Sequence, residues 1–270
     1  MTRPWGLTGS SALITGALGL LGPVWIRGLL EAGARVVALD LPNAKISDQY
    51  TALADTYNEG QLRLVRADIT DRVSLTEIHA WCVRHGSVPS ILLNNAGMDQ
   101  SPALSAGSFT VADIPPELFR SVFDVNVLGT FQMIQTFGPE MVRAGQGSII
   151  NIASLYATVS PDQRLYDHLP MNPPFLKPPA YGASKAAVVN LTRYFATLWA
   201  PYGVRVNALS PGGVLADQDE EFRRKYSARV PMGRMAEPKD LTGPLIFLAS
   251  DASRYVTGIN LQVDGGFTAW

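Results

Sequence analysis

Tyr181 and Lys185 are the first residues in this chain whose types and spacing could do chemistry. They bracket the run Tyr181-Gly182-Ala183-Ser184-Lys185, and Tyr181 is the only one of nine tyrosines with a lysine four positions on. In a helix that spacing puts the phenol and the ammonium on one face, a turn apart. A nearby cation favours phenolate and lowers a tyrosine pKa from its reference of about 10, which turns a poor general base into a usable one. An exposed Tyr/Lys pair would show the same spacing without any chemistry, so the pair has meaning only with neighbours.

A second group of residues suggests a dinucleotide. The strand-like run Ser11 to Thr15 leads into Thr15-Gly16-Ala17-Leu18-Gly19-Leu20-Leu21-Gly22 and then a helical stretch. Glycines there let the backbone turn tightly and approach a pyrophosphate, and the helix N-terminus offers free N–H groups and a positive dipole end. The second strand ends on Asp40, where a carboxylate accepts hydrogen bonds from ribose hydroxyls. It also repels a 2'-phosphate, and Leu41-Pro42-Asn43 supplies no cation to receive one, so NAD is favoured over NADP. Asp68 closes the third strand, where it either hydrogen-bonds an adenine amino group or caps the next helix.

The elements that must position these groups read as an alternation. Strands are expected at 11–15, 35–39, 62–65, 91–93, 148–152, 204–209 and 259–263, several of them continuously apolar, as strands buried on both faces of a parallel sheet should be. Helices are expected at 20–33, 71–85, 116–144, 180–202 and 237–249, two of them announced by Thr70-Asp71 and Pro115-Pro116-Glu117. The fold class is α/β, doubly wound, with a seven-stranded parallel sheet and helices on both faces. No repeat or linker interrupts it, so residues 1–270 read as one domain.

One segment breaks the rhythm. Six of the 19 prolines lie between Ser160 and Ala180, interleaved with Asp162, Arg164, Tyr166, His168, Phe175 and Lys177. So many prolines exclude a single regular element. Long ordered loops in compact domains tend to serve function, and a substrate lid at 160–180 is the expectation, with a further substrate-side loop and helix at 211–232.

Composition narrows the role. With 22 Lys and Arg against 23 Asp and Glu, the net charge of −1 gives no general field for nucleic acid. The single cysteine, Cys82, excludes an intrachain disulfide, and no His/Cys cluster has metal-ligand spacing. Residues 1–9 lack a signal-peptide core and no apolar run is long enough to span a bilayer, so no membrane association and a cytoplasmic location are expected.

With these pieces in order, the sequence resembles the short-chain dehydrogenase/reductase family in its single-domain, Rossmann-fold form. The likeness runs over nearly the whole chain: Thr15-Gly16 to Gly22, Asp68, Asn94-Asn95-Ala96-Gly97, Asn126 in Asp124-Val125-Asn126-Val127-Leu128-Gly129, Ser154 after Asn151-Ile152-Ala153, Tyr181 to Lys185, Asn207 with Pro211-Gly212, and Val263-Asp264-Gly265-Gly266. The resemblance implies that Tyr181 is the general acid/base on the substrate oxygen and that Ser154 hydrogen-bonds the same oxygen. It implies that Lys185 lowers the Tyr181 pKa and binds the nicotinamide ribose, and that Asn126 holds a water completing a proton relay. It places NAD along Gly16, Gly19, Leu20, Leu21 and Gly22, then Asp40, Leu41, Asp68 and Ile69. Asn94, Asn95, Ala96 and Gly97, ending the fourth strand, would line the adenosine-ribose side and steady the sheet. Pro211, Gly212, Gly213 and Val214 would border the nicotinamide beside Tyr181 and Lys185.

Three features depart from the family pattern. Leu20 stands where single-domain members usually carry glycine, with Gly19 one step earlier. Ser154 and Tyr181 are about twice the usual interval apart, because the Pro-rich segment lies between them. The threonine often found after the Pro-Gly turn is missing from Gly213-Val214-Leu215-Ala216-Asp217.

The polar residues around the site suggest a small, polyhydroxylated or charged substrate, with Ser154, Tyr156, Arg164, Tyr166, His168 and Tyr181 as its candidate contacts. The insertion, the Asp217-Gln218-Asp219-Glu220-Glu221-Phe222 stretch and the Gly265 to Trp270 end resemble a subgroup associated with bacterial surface-sugar biosynthesis. The expected reaction is NAD-linked interconversion of a secondary alcohol and a ketone on a sugar-like molecule. A 3-oxoacyl reductase or general alcohol dehydrogenase of the same family is the alternative, and a non-catalytic nucleotide-binding regulator is a third. The family also implies a homotetramer, or failing that a dimer, through the 116–144 and 180–202 helices, with Phe267 and Trp270 as a further contact.

Overall fold

A computed structural model describes residues 5–99 and 108–270. Seven strands form one sheet: β1 (Ser11–Thr15), β2 (Arg35–Asp40), β3 (Leu62–Arg66), β4 (Ile91–Asn94), β5 (Gly147–Ile152), β6 (Val204–Pro211) and β7 (Asn260–Val263). Their spatial order is β3-β2-β1-β4-β5-β6-β7, and every pair is parallel. The chain reverses its direction of travel across the sheet between β1 and β4. At such a switch point the strands' C-terminal ends open a crevice, which is where doubly wound sheets bind ligands.

Strand β1 shows why the sheet is buried on both sides. Its residues alternate between faces, with Ala12 and Ile14 in one apolar cluster and Leu13 in the other. Helices α1 (Gly22–Glu31), α2 (Asp48–Thr56) and the later α8 (Thr242–Ala249) cover the first face with Trp25, Leu29, Leu53, Leu245 and Leu248. The opposite face is covered by α3 (Arg72–Arg84), α5 (Thr130–Ala144) and α6 (Pro179–Trp199) through Leu75, Met133, Phe137 and Phe195. Burying each such side chain contributes about 1.5–3 kcal/mol.

The expected 116–144 helix is three pieces in line: α4 (Pro116–Phe123), a π-helical turn (Asp124–Gly129) and α5. Between β6 and α8 lies α7 (Glu220–Ser227), inside the expected substrate-side segment. Helix α2 had no counterpart in the sequence reading. It is nine residues long, only Tyr50 and Leu53 are buried, and its apolar stripe is too thin to announce it. Its visible signal is the cap at Ser47, whose hydroxyl accepts from the Tyr50 N–H.

The Pro-rich segment is irregular, as its prolines require, apart from a short 3₁₀ turn at Gln163–Leu165. It is nonetheless packed. Leu165, Tyr166 and Phe175 share an apolar cluster with Tyr226 of α7, Val230, Met235 and Phe267. Phe267, expected at a subunit contact, is therefore part of the chain's own interior, stacked on Tyr226 with ring centroids 5.0 Å apart, whereas Trp270 is exposed. Ion pairs run along the seam between insertion and α7: Arg229 with Asp162, Lys225 with Asp167, and His168 with Asp219. No helix among the described residues is long and apolar enough to cross a membrane.

Candidate active site

The C-terminal ends of β1 to β6 bring together most of the residues expected to act. The turn after β1 is built on glycines for steric reasons. Gly16 has φ +65°, and a Cβ there would lie 2.8 Å from the Ala96 Cα; a Cβ on Gly22 would lie 2.2 Å from the Ala17 carbonyl oxygen. Neither contact is tolerable, so the turn and the start of α1 are pressed against the 94–97 turn. Asp40 reaches this turn from β2, its carboxylate accepting from the Leu18 N–H at 2.7 Å and the Leu41 N–H at 2.8 Å. Leu20 is 62% exposed, so the side chain replacing the usual glycine points away from the packed turn.

The Asn95 side chain holds the turn together. Its amide accepts from Trp25 Nε1 at 2.8 Å and donates to the carbonyls of Thr15 and Gly16, each at 3.0 Å. The side chain pins the dinucleotide turn to α1 and β4 and is spent on the protein. Asn94 ties the sheet instead, donating to Asn151, which donates in turn to Thr192 of α6. Asp68 accepts from the backbone and hydroxyl of Thr70, while Asp71 caps α3 through the Val73 and Ser74 N–H groups. Capping is thereby removed as the role of Asp68.

The catalytic candidates converge on Tyr181. Pro178 and Pro179 end the insertion and start α6 with a proline at the first helical position, which puts Tyr181 in the helix's first turn. Ser154 lies just past β5, 7% exposed; its hydroxyl accepts from the Tyr156 N–H at 3.2 Å and sits near enough to the Tyr181 phenol to pull its pKa down. Lys185 is buried, its Nζ 5.8 Å from the Tyr181 ring centroid and 2.7 Å from the Ile152 carbonyl oxygen to which it donates. The long interval between Ser154 and Tyr181 is looped out by the insertion without separating the two groups.

The electrostatics of the Tyr181 and Lys185 pair are dominated by burial. Burial pushes the Tyr181 phenol above its ordinary value, the Asp99 charge pushes it the same way, and Ser154 pulls it down. Burial brings Lys185 itself down to about 8, against an opposing pull from Asp99. Desolvation outweighs the attraction between the two groups, since each loses water on the same packed helix face.

The Asn126 side chain is likewise held by protein partners. Its side chain accepts from the Met98 N–H at 2.7 Å and donates to the Met98 carbonyl at 3.1 Å and to Ser184 Oγ at 2.9 Å. It clamps the segment after β4 onto α6 from the π-helical turn, a local distortion that is frequent at functional sites.

On the substrate side the expected residues divide. Tyr156 and Tyr166 are buried close to each other, both are pushed up by burial, and both lie within the electrostatic reach of Asp99. Arg164, 82% exposed, is spent on Asp162 at the surface. His168 accepts or donates between Asp219 at 2.8 Å and Lys225 at 3.3 Å, joining the insertion to α7. Neither contacts a catalytic group. Past β6, the Gly213 N–H donates to the Tyr226 hydroxyl, which fixes the turn where the absent threonine would stand. Sequence reasoning missed Asp99, two residues after Gly97, and gave Lys177 no particular role; the two form an ion pair beside Tyr181.

A family model described as enoyl-(acyl carrier protein) reductase matches residues 22–268. The chain belongs to the short-chain dehydrogenase/reductase family. It is 34% identical, over 98% of its length and 94% of the relative's, to a ribulose-forming D-arabinitol 2-dehydrogenase of Candida tropicalis. It is 35% identical to an L-tagatose-forming galactitol 2-dehydrogenase of Cereibacter sphaeroides, covering 98% of this chain and 97% of that one. Among solved structures, a short-chain dehydrogenase from Leptospira borgpetersenii with bound NAD+ superposes with a TM-score of 0.85 at 33% identity, covering 99% of this chain and 96% of that one. This short-chain dehydrogenase/reductase thus keeps the family's fold and motif order while carrying its own insertion before α6.

Proposed function

We propose that the chain is an NAD-dependent oxidoreductase that interconverts a secondary alcohol and a ketone on a polyhydroxylated substrate of the polyol and ketose class. The observation that carries this reading is the convergence of Ser154 and Tyr181, with Lys185 a turn away, beside a glycine turn held by Asp40. The named relatives, an arabinitol and a galactitol dehydrogenase, support the substrate class. Asp40 supports NAD, as does the NAD+ bound by the Leptospira neighbour.

The turn fits the cofactor on its own evidence: Gly16 and Gly22 leave no space for a side chain, and Asp40 presents a carboxylate where ribose hydroxyls need an acceptor. Nicotinamide, when bound, supplies the hydride acceptor or donor. The protein's part is the proton and the oxygen. Tyr181 removes the proton from the substrate hydroxyl during oxidation and returns it during reduction, and Ser154 donates to that oxygen as charge develops on it. Lys185 supplies the buried positive charge that makes phenolate accessible when Tyr181 gives up its proton. The insertion and α7, closed over the site by Tyr156, Tyr166 and Tyr226, serve as the substrate lid.

A 3-oxoacyl reductase needs an apolar channel for its acyl chain, and the hydroxyls of Tyr156 and Tyr166 with the Asp99 carboxylate disfavour that. Exposed Phe119, Leu128, Tyr194 and Leu198 along α4 to α6 support a homo-oligomer, a tetramer before a dimer, which sedimentation at micromolar concentration would read as a mass above 29.2 kDa. Use of a soluble dinucleotide supports a cytoplasmic setting. The deciding experiment follows reduced nicotinamide by absorbance with NAD or NADP across polyols, aldonic acids, sugar nucleotides, simple alcohols and hydroxyacyl thioesters. Turnover of polyols with NAD supports the reading; turnover confined to thioesters or simple alcohols overturns it.

A further inference from the structure

We propose that Asp99, held in place by Lys177, is the specificity determinant that reads hydroxyl groups flanking the reacting carbon and selects neutral polyols and ketoses over aldonic acids. This rests on the polyol reading above and assigns the groups that enforce it.

Lys177 is the last charged residue of the insertion, two positions before α6, and is 6% exposed. Its ammonium donates to both Asp99 oxygens, at 2.6 and 2.8 Å, and lies 5.3 Å from the Tyr181 ring centroid. The insertion therefore delivers a buried cation to the catalytic ring, and the cation is aimed at one carboxylate. Its backbone is fixed from the other side as well: the Gln163 amide accepts from the Lys177 N–H at 2.9 Å.

Asp99 is positioned from the opposite wall. Asn126 grips both backbone polar groups of Met98, so the residue that follows leaves the clamp in a set direction. The pair is asymmetric: the Lys177 side chain is 4% exposed and that of Asp99 is 42% exposed. Of the two charges beside Tyr181, the carboxylate is the accessible one and the ammonium is the buried one.

That asymmetry decides the ligand chemistry. A carboxylate accepts hydrogen bonds and donates none, so it pairs with the donating hydroxyls of a diol and repels a second carboxylate. Folding does not call for such a pair, because apolar residues of similar volume usually serve a buried site as well or better. Its place beside Tyr181, within reach of Tyr156 and Tyr166, suits recognition of several hydroxyls at once.

The test compares kcat/KM for a pentitol or hexitol and for the aldonate of equal chain length, in the wild type and in Asp99→Asn, Lys177→Met and Lys177→Arg. Asp99→Asn should lower polyol kcat/KM by about tenfold to a hundredfold, chiefly through KM, and narrow the polyol-to-aldonate ratio by at least about tenfold. Lys177→Met, which removes both the tether and the counter-charge of the carboxylate, should lower polyol kcat/KM without narrowing the ratio, and Lys177→Arg should restore part of that loss. NAD binding by fluorescence quenching, retained in each variant, shows that the site is folded. A wild type inactive on every polyol overturns this assignment together with the polyol reading. A wild type active on polyols, with the ratio unchanged in Asp99→Asn or with all substrates and NAD binding lost in parallel, overturns this assignment alone.

Discussion

The Ser154 hydroxyl lies beside the Tyr181 phenol across the base of the insertion, and it is the one neighbour that pulls the phenol's pKa down against burial and Asp99. Removing that hydroxyl has two separable effects. Ser154→Ala should lower turnover by about a hundredfold or more, and it should move the ascending limb of kcat/KM for alcohol oxidation to higher pH, because oxidation needs phenolate. Tyr181→Phe should abolish turnover and spare NAD binding. A pH profile of Ser154→Ala with an unmoved limb would contradict the assigned contact.

Lys185 should leave a signature in stability. Its ordinary pKa of 10.5 is brought to about 8 by burial. Below about pH 8 both folded and unfolded chains hold the proton, and the folded chain bears the whole desolvation cost. Between about pH 8 and about 10.5 the unfolded chain binds more protons than the folded one, so this contribution to stability rises with pH. Lys185→Met lacks it. Urea denaturation at about pH 7.5 and about pH 10 should show the wild type gaining about 2 kcal/mol relative to the variant across that window; a relative loss would mean that the buried group is not lysine's ammonium as described.

The fold was legible because its strands are short apolar runs separated by helix-length intervals, and β1 to β7 fall within a residue or two of where those runs lie. Tyr181, Lys185, Ser154 and the glycine turn were legible because their motifs are local. Helix α2 was not, since two buried residues make too weak a pattern. Asn95 and Asn126 could be placed but not given their roles, because an amide's partners depend on strands and helices distant in sequence. Asp99 and Lys177 were illegible as a pair for the same reason: one follows β4, the other precedes α6, and only the packed insertion brings them together. The narrower likeness to surface-sugar enzymes gains no support from polyol dehydrogenases.

Asp40 should set cofactor choice. Its carboxylate is oriented by the Leu18 and Leu41 N–H groups, leaving its charge where a 2'-phosphate would sit. Asp40→Ala should raise the KM for NAD by about tenfold and lower the NAD-to-NADP preference by more than that, since it removes both an acceptor and a repulsion. Steady-state kinetics with each cofactor would measure it, and an unchanged preference would assign discrimination elsewhere.

The glycine turn makes an asymmetric prediction. Gly22→Ala forces a methyl to 2.2 Å from the Ala17 carbonyl oxygen, so the turn or the first turn of α1 must shift. Thermal unfolding should show a drop in Tm, and NAD affinity should fall with it. Leu20→Gly restores the family's usual residue, yet Leu20 is already exposed; that variant should lose less than about 1 kcal/mol of stability and keep NAD affinity within a few-fold. Equal damage from the two would mean that the turn does not have this shape.

Closure of the insertion should depend on Asp162. Its side chain is 15% exposed and takes hydrogen bonds from Arg164 and from Arg229, whose guanidinium also lies 5.3 Å from the Phe267 ring centroid. The Arg164 pair is surface-screened and worth little alone, whereas the Arg229 contact bridges the insertion to the segment after α7. Asp162→Ala should therefore loosen the insertion without touching Ser154 or Tyr181. Limited proteolysis should cut between 163 and 177 faster than in the wild type, substrate KM should rise several-fold, and kcat at saturation should change little. If cleavage quickens while KM holds, the insertion covers the site without contributing to binding; if kcat collapses instead, the insertion positions Tyr181 through Pro178 and Pro179 rather than closing over substrate.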